Sequence, residues 1–151
     1  MTAAANITRA ERPRDVRIIV EHCMKVGRPV MITGSPGLGK SDIIAEIGRT
    51  QARPVIDMRL LLLDPTDLKG IPYYCAETKT MRWAAPADLP SNGGPLANAI
   101  LFLDEINAAP PSVQAAAYQL ILNRRVGEYV LPDGVSIVCA GNKDSDKGVT
   151  Y

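Results

Sequence analysis

One glycine-rich stretch constrains the fold of this chain more than any other feature. Residues 34–41 are Gly-Ser-Pro-Gly-Leu-Gly-Lys-Ser and satisfy the pattern G-x-x-x-x-G-K-[ST]. Such a loop turns backbone N–H groups toward phosphate oxygens, because glycine permits the required dihedral angles and a close approach. A helix that follows it adds unpaired N–H groups and the positive end of its dipole. The stretch therefore predicts a phosphate-binding loop between a strand and a helix.

The residues on either side of the loop supply that context. Residues 29–33 are an apolar run typical of a buried strand, and Ile43, Ile44 and Ile47 mark a helix that is expected to end near Gly48. This arrangement favours a binding loop over an ordinary glycine-rich turn. The sequence therefore predicts that the chain binds a nucleoside triphosphate with Mg²⁺.

Nine consecutive residues form the predicted nucleotide contact. The Lys40 ammonium is expected to reach the β- and γ-phosphates, and the Ser41 hydroxyl is expected to coordinate Mg²⁺. The full set is Gly34, Ser35, Pro36, Gly37, Leu38, Gly39, Lys40, Ser41 and Asp42.

Strand and helix patterns alternate along the rest of the chain. Apolar spacing predicts helices over residues 14–26 and from about Ser112 to Asn123, and strands over residues 54–58 and 99–103. Alternation of this kind is typical of an α/β fold with a parallel sheet. We expect a flexible lead-in over residues 1–12 and one core domain over residues 13–151.

Two segments depart from this alternation. Residues 71–86 have the pattern of two short strands joined by a polar turn. Strands are also expected over residues 126–130 and 135–140, on either side of a turn at residues 132–134. The sequence therefore predicts two hairpin insertions in the core.

An acidic pair follows a strongly apolar run. Ile100-Leu-Phe-Leu leads directly into Asp104 and Glu105. Neighbouring side chains diverge at a strand end. Asp104 is therefore predicted to bind the metal directly or through one of its ligands, and Glu105 to act as the general base on the attacking water. The alternative is a solvated strand-end pair, which the phosphate-binding loop makes the weaker interpretation.

Asn142 ends the last predicted strand. Its amide is predicted to contact the γ-phosphate or the attacking water, although a plain Gly-Asn turn is an equal alternative. The segment that begins there resembles a guanine-reading Asn-Lys-x-Asp element, but Ser145 replaces the final aspartate. ATP is therefore favoured over GTP.

Composition limits the remaining possibilities. The formal net charge is +1, so no strongly basic field is available for nucleic acid. No apolar run is long enough to cross a bilayer. The three cysteines are widely spaced, which favours reduced thiols in a cytoplasmic protein. The one histidine, His22, is expected to be a solvated helix residue.

With these elements in order, the chain resembles the AAA+ ATPases and, among them, the MoxR-like group. The resemblance spans residues 13–151 and rests on residues 34–41 (Walker A), residues 101–107 (Walker B) and Asn142 (sensor 1). The segments 67–72 and 104–114 are more specific to the MoxR-like group. The two predicted hairpins match insertions of this group, in its second helix and before sensor 1.

The resemblance implies a ring of identical subunits, usually a hexamer, in which ATP hydrolysis remodels a protein client or assists its maturation or metal insertion. It also implies a partner with a von Willebrand factor A domain. Tyr73, Tyr74 and Trp83 are candidates for client contact, although hairpin aromatics also stabilise their own hairpin.

The chain differs from the family pattern at its carboxyl end. We expect it to be truncated before the fifth strand, the arginine finger and the helical lid. Arg124 and Arg125 are expected to be solvated cations at a helix end and not that finger. Three alternatives stay open: a nucleotide-binding module with little turnover, a small-molecule kinase, and a DNA-remodelling motor that the neutral charge disfavours.

Overall fold

Four α-helices and eight β-strands make up the part of the chain that the computed structural model describes, which is residues 12–35, 37 and 39–142. The helices are α1 (Pro13–Lys25), α2 (Lys40–Thr50), α3 (Thr66–Lys69) and α4 (Pro111–Asn123), with 3₁₀ turns at Leu60–Leu62 and Ile106–Ala108. The strands are β1 (Val30–Thr33), β2 (Val55–Arg59), β3 (Ile71–Cys75), β4 (Thr80–Ala84), β5 (Ile100–Asp104), β6 (Arg125–Val126), β7 (Tyr129–Val130) and β8 (Ser136–Gly141). The predicted lead-in at residues 1–12 lies almost wholly outside the described residues.

A parallel four-stranded sheet organises the fold. Its strand order is β1-β8-β5-β2, so β8, the last of the described strands, lies between β1 and β5. Val30 pairs with Val138 and Thr33 with Gly141, while Phe102 of β5 faces Val138 from the other side. The carboxyl ends of β1, β5 and β8 therefore meet at one edge of the sheet. The predicted α/β class is confirmed.

Side chains of β5 alternate between two apolar cores. Leu101 and Leu103 belong to a cluster that includes α4, whereas Ile100 and Phe102 belong to a cluster with α1 and α2. All four are at most 1% exposed. A strand that is covered on both faces is apolar at every position, which explains the continuous run in the sequence.

Helix α2 extends beyond its predicted end near Gly48 to Thr50. Gly48 is buried inside the helix, where a Cβ would overlap the side chain of Val55 on β2. The glycine therefore allows the helix to approach the sheet closely and does not end it.

The first hairpin insertion is confirmed. Strands β3 and β4 pair antiparallel, with Ile71 opposite Ala84 and Cys75 opposite Thr80. At its base Gly70 has φ +87°, and a Cβ there would overlap the carbonyl oxygen of Ala84. Only glycine fits this position without strain.

The second hairpin differs from its predicted form. Residues 126–130 are not one strand: β6 and β7 pair with each other, Val126 opposite Tyr129, around a turn in which Gly127 has φ +58°. Ser136–Gly141 does not pair with this segment and lies in the parallel sheet. Its apolar residues gain burial on both faces there, which a hairpin on the surface does not offer.

The Arg53 guanidinium binds carbonyl oxygens near the amino ends of the central strands β5 and β8. Arg53 donates to the carbonyls of Asn98 (2.6 Å), Ala99 (3.2 Å) and Gly134 (3.0 Å) and to the Ser136 hydroxyl (3.0 Å). Burial lowers the pKa of Arg53. A cavity of about 360 Å³ beside it, whose lining includes Lys25, Arg28, Arg53, Arg124 and Asp133, lies at the end of the sheet opposite the phosphate-binding loop.

Arg124 is not the solvated cation that the sequence suggests. It has φ +55° directly after α4, and its Nη2 donates to the carbonyls of Pro132 (2.7 Å) and Val135 (2.8 Å). The guanidinium thus attaches the helix end to the segment that leads into β8. Arg125, in contrast, is exposed.

The surroundings of His22 and of the three cysteines can be compared with what the sequence predicts. His22 is exposed on α1, as predicted, and all three cysteines are free thiols, of which only Cys139 is fully buried. Burial raises the pKa of Cys139 to about 12. Among the described residues, no helix has both the length and the apolar character that a membrane span requires.

Candidate nucleotide-binding site

The phosphate-binding loop connects β1 to α2 at the carboxyl edge of the sheet. The Gly34 N–H donates to the Gly141 carbonyl over 3.3 Å and so continues the pairing of β1 with β8. Gly37 and Gly39 have φ values of +81° and +77°. Glycine is favoured at both positions because a side chain would strain this backbone. Pro36 and Leu38, two of the predicted contacts, lie outside the described residues.

Helix α2 presents an open amino terminus to this loop. Gly39 is its N-cap residue, and no side chain of the described residues caps the first turn. Ser41 and Asp42 are exposed in that turn, and Ser35 is half-buried before it. An eleven-residue helix with uncapped N–H groups and a positive dipole end fits an anion such as a phosphate.

Lys40 joins the loop to the end of β8. Its Nζ donates to the carbonyl of Gly34 (2.8 Å), to the carbonyl of Gly141 (3.1 Å) and to Oδ1 of Asn142 (3.3 Å). All three acceptors are neutral, so no carboxylate among them neutralises the ammonium. An ammonium whose described acceptors are neutral, beside an open helix terminus, suits the binding of a polyphosphate.

Asp104 and Glu105 lie where β5 ends, and both are half-buried. Glu105 has φ +56° and ψ +39°, a left-handed conformation that is uncommon for a residue with a side chain. Its N–H donates to Oδ1 of Asp104 over 2.8 Å. Local strain of this kind is often concentrated at functional sites.

Charges on β2 adjoin Asp104. Arg59 is its register partner in the parallel pairing of β2 with β5. Burial raises the pKa of Asp57, and the charge of Asp104 raises it further, whereas the charge of Arg59 lowers it. Sequence reasoning missed Arg59, because only the strand order places the end of β2 beside the acidic pair.

A reciprocal pair of hydrogen bonds joins Asn142 to Asn107. Asn107 Nδ2 donates to the Asn142 carbonyl over 2.9 Å, and the Asn142 N–H donates to Asn107 Oδ1 over 3.2 Å. Asn107 lies inside the Walker B segment, residues 101–107, where no contact was predicted for it. Its position two residues after Glu105 was the only available signal.

The predicted site residues therefore fall into connected groups. Lys40 and Asn142 are in direct contact, and Asn107 joins Asn142 to the turn that follows Glu105.

The aromatic residues of the first hairpin differ in their exposure. Tyr74 is 70% exposed, whereas Trp83 is half-buried and lies under the Lys69 ammonium, 5.0 Å from the ring centroid.

A phosphate-binding loop between β1 and α2, beside an acidic strand end in a parallel sheet of order β1-β8-β5-β2, defines a P-loop nucleoside triphosphatase fold. Within that class the chain belongs to the ATPase family associated with various cellular activities (AAA), whose sequence profile matches residues 29–148.

Two solved structures share this fold. One is a candidate ATPase from Cytophaga hutchinsonii, with a TM-score of 0.56 and 19% identity over 89% of this chain and 39% of that one. The other is NtrX from Brucella abortus, with a TM-score of 0.57 and 16% identity over 90% of this chain and 31% of that one. At such identities the likeness shows the fold alone. The chain spans less than two thirds of the length of either relative.

Proposed function

We propose that the chain binds ATP with Mg²⁺ and hydrolyses it, as the nucleotide-binding core of a MoxR-like AAA+ motor that acts on a protein client. The observation that carries this proposal is the convergence on Lys40: its ammonium meets Asn142 Oδ1 and two main-chain carbonyls, at the amino terminus of α2. Two distant parts of the sequence, residues 34–40 and 141–142, supply these groups.

Binding follows from the loop and the first turn of α2. Residues 34–42 surround the phosphates, and Lys40 exchanges some of its neutral acceptors for the β- and γ-phosphate oxygens. Charge-assisted hydrogen bonds of that kind are stronger than the ones they replace. Ser41 and Asp104 would hold Mg²⁺, which would neutralise part of the phosphate charge when bound.

Hydrolysis needs a base for the attacking water. Glu105 is assigned this function, and its left-handed backbone, whose N–H is bonded to Asp104 Oδ1, supports a separate direction for its carboxylate. Asn142 is assigned the contact with the γ-phosphate or the water. Its proximity to Lys40, 3.3 Å between Nζ and Oδ1, supports this assignment.

Assembly and client belong to the same proposal. We infer a homo-oligomeric ring, in keeping with the oligomers that AAA+ proteins generally form. A hexamer, a partner with a von Willebrand factor A domain and a cytoplasmic location are proposed from the MoxR-like motifs, and the free thiols support the location. The exposed Tyr73 and Tyr74 of the first hairpin are the proposed client contacts.

The test separates binding from turnover. Nucleotide affinity and ATP hydrolysis are measured for the chain and for Glu105→Gln over a range of protein concentrations, because a ring site needs a neighbour. We expect affinity to stay within about twofold and hydrolysis to fall about a hundredfold or more, as the loss of a general base does. Glu77→Gln, an exposed hairpin carboxylate, is the matched control.

Two results would contradict parts of the proposal. Undiminished hydrolysis by an active Glu105→Gln variant would remove Glu105 from the role of base. ATP binding without hydrolysis at any protein concentration would favour the alternative, a nucleotide-binding module with little turnover.

A further inference from the structure

We propose that Asn107 is a positioning residue for the nucleotide site. Its carboxamide fixes the backbone of Asn142 and thereby sets how the Asn142 side chain meets the terminal phosphate. This inference rests on the proposed function, and it adds a residue that none of the predicted contacts included.

The two hydrogen bonds between Asn107 and Asn142 are reciprocal. The carboxamide of Asn107 donates to the Asn142 carbonyl (2.9 Å) and accepts from the Asn142 N–H (3.2 Å). It therefore satisfies both main-chain groups of the residue that follows β8, as a neighbouring strand would. Asparagine offers a donor and an acceptor at this spacing, whereas aspartate lacks the donor and alanine lacks both.

Asn107 is itself held in place. It lies in the middle of the 3₁₀ turn Ile106–Ala108, whose first residue is 2% exposed. The Ala108 N–H donates to the Glu105 carbonyl over 3.1 Å, and Gln114 Nε2 of α4 donates to the Ala109 carbonyl over 2.9 Å. Because the turn is anchored in the core and to α4, its carboxamide is a fixed reference for the end of β8.

The residue before Asn142 leaves room for this contact. A Cβ on Gly141 would overlap Oδ1 of Asn107. The Gly141 carbonyl and Asn142 Oδ1 are also two of the three acceptors of the Lys40 ammonium. A shift of the Asn142 side chain would therefore disturb the site where the terminal phosphate is proposed to bind.

These contacts predict a loss that depends on the γ-phosphate. The diphosphate of ADP is held by residues 34–42, whereas the terminal phosphate alone would reach Asn142. A positioning role predicts that removal of the Asn107 carboxamide weakens binding of ATP and spares ADP. A residue that merely stabilised the fold would weaken both nucleotides equally.

The experiment compares the affinities of a non-hydrolysable ATP analogue and of ADP, each with Mg²⁺, by isothermal titration calorimetry. For Asn107→Ala we expect about a fivefold to tenfold loss for the ATP analogue, the size of one ordinary hydrogen bond, and less than a twofold change for ADP. Asn142→Ala should show the same pattern. The double variant should lose no more than either single variant, because both act through one contact.

A control variant and a second substitution at Asn107 accompany this experiment. Asn123→Ala removes the same group from an exposed position at the end of α4 and should bind both nucleotides normally. If Asn107→Ala unfolds, Asn107→Asp retains the acceptor for the Asn142 N–H but replaces the donor with a carboxylate oxygen, so it should show the selective loss at least as strongly.

Equal losses for both nucleotides, or additive losses in the double variant, would overturn the assignment of Asn107 and leave the proposed function standing. A wild-type chain that binds neither nucleotide would overturn both.

Discussion

Arg82 and Glu128 join the two hairpins: Arg82 Nε donates to Oε1 of Glu128 over 2.7 Å, across 46 positions of sequence. The other carboxylate oxygen accepts from the Trp83 N–H over 3.3 Å. Lys69 lies over the ring of the same tryptophan. The only tryptophan of the chain therefore reports on the junction between the hairpins.

Acid should open this junction. The hydrogen bond from Arg82 lowers the pKa of Glu128 below its ordinary value of 4.5, so its stabilising contribution is complete above pH 4.5 and is lost as the pH falls through the lower folded value. We expect the Trp83 emission to stay constant from pH 7 to 4.5 and to change below that. In Glu128→Gln the emission should already differ at pH 7 and the acid step should shrink. Identical titrations of Glu128→Gln and the Glu77→Gln control would contradict the coupling.

Removing the Lys40 ammonium should weaken nucleotide binding. Lys40→Met keeps the length of the side chain and loses the charge that is bonded to three neutral oxygens. Loss of a hydrogen-bonded charge to phosphate predicts an ATP affinity lower by at least about tenfold, measured by titration calorimetry. Lys25→Met, at an exposed position on α1, should bind as the wild type does. Equal affinity in the two variants would remove Lys40 from the site.

Arg53→Ala should lower the stability of the chain, because Arg53 binds carbonyl oxygens at the amino end of the parallel sheet. The substitution leaves the carbonyls of Asn98, Ala99 and Gly134 without their guanidinium donor, which predicts a loss of about 1–3 kcal/mol in the free energy of unfolding. Urea denaturation measures it. Arg49→Ala, exposed in the last turn of α2, should stay within about 0.5 kcal/mol of the wild type. A loss no larger than that of Arg49→Ala would show that the carbonyls are satisfied by water.

Gly141→Ala should destabilise the chain through the Asn107 carboxamide. The added methyl overlaps Oδ1 of Asn107 inside a packed region, for which we expect about 1–3 kcal/mol of lost stability. Adding Asn107→Ala removes the nearest obstacle, leaving only the flexible end of the Met31 side chain, and should restore part of that loss. If the second substitution only adds to the destabilisation, the overlap is not the cause.

Local pattern was sufficient for most of the fold. The apolar runs before residue 34 and before Asp104 predicted strands, and the spacing of Ile44 and Ile47 predicted α2, because burial against one core enforces these periodicities. The hairpin predicted before sensor 1 is present, but its strands are shorter than predicted, with only Arg125–Val126 and Tyr129–Val130 paired. Residues 136–141 carry strand character, but their partner is chosen by burial on both faces and not by proximity in sequence.

The candidate site, like the fold, could be predicted only in part from local sequence. The sequence by itself determined the phosphate-binding loop, since glycines, a lysine and a serine at fixed spacing are a local requirement of a strand-to-helix turn. Only the tertiary structure decided which distant groups meet that loop. The parallel order β1-β8-β5-β2 brings Asn142 to Lys40 and Asn107 to Asn142. Such contacts depend on strand order and register, which no local spacing of residues encodes.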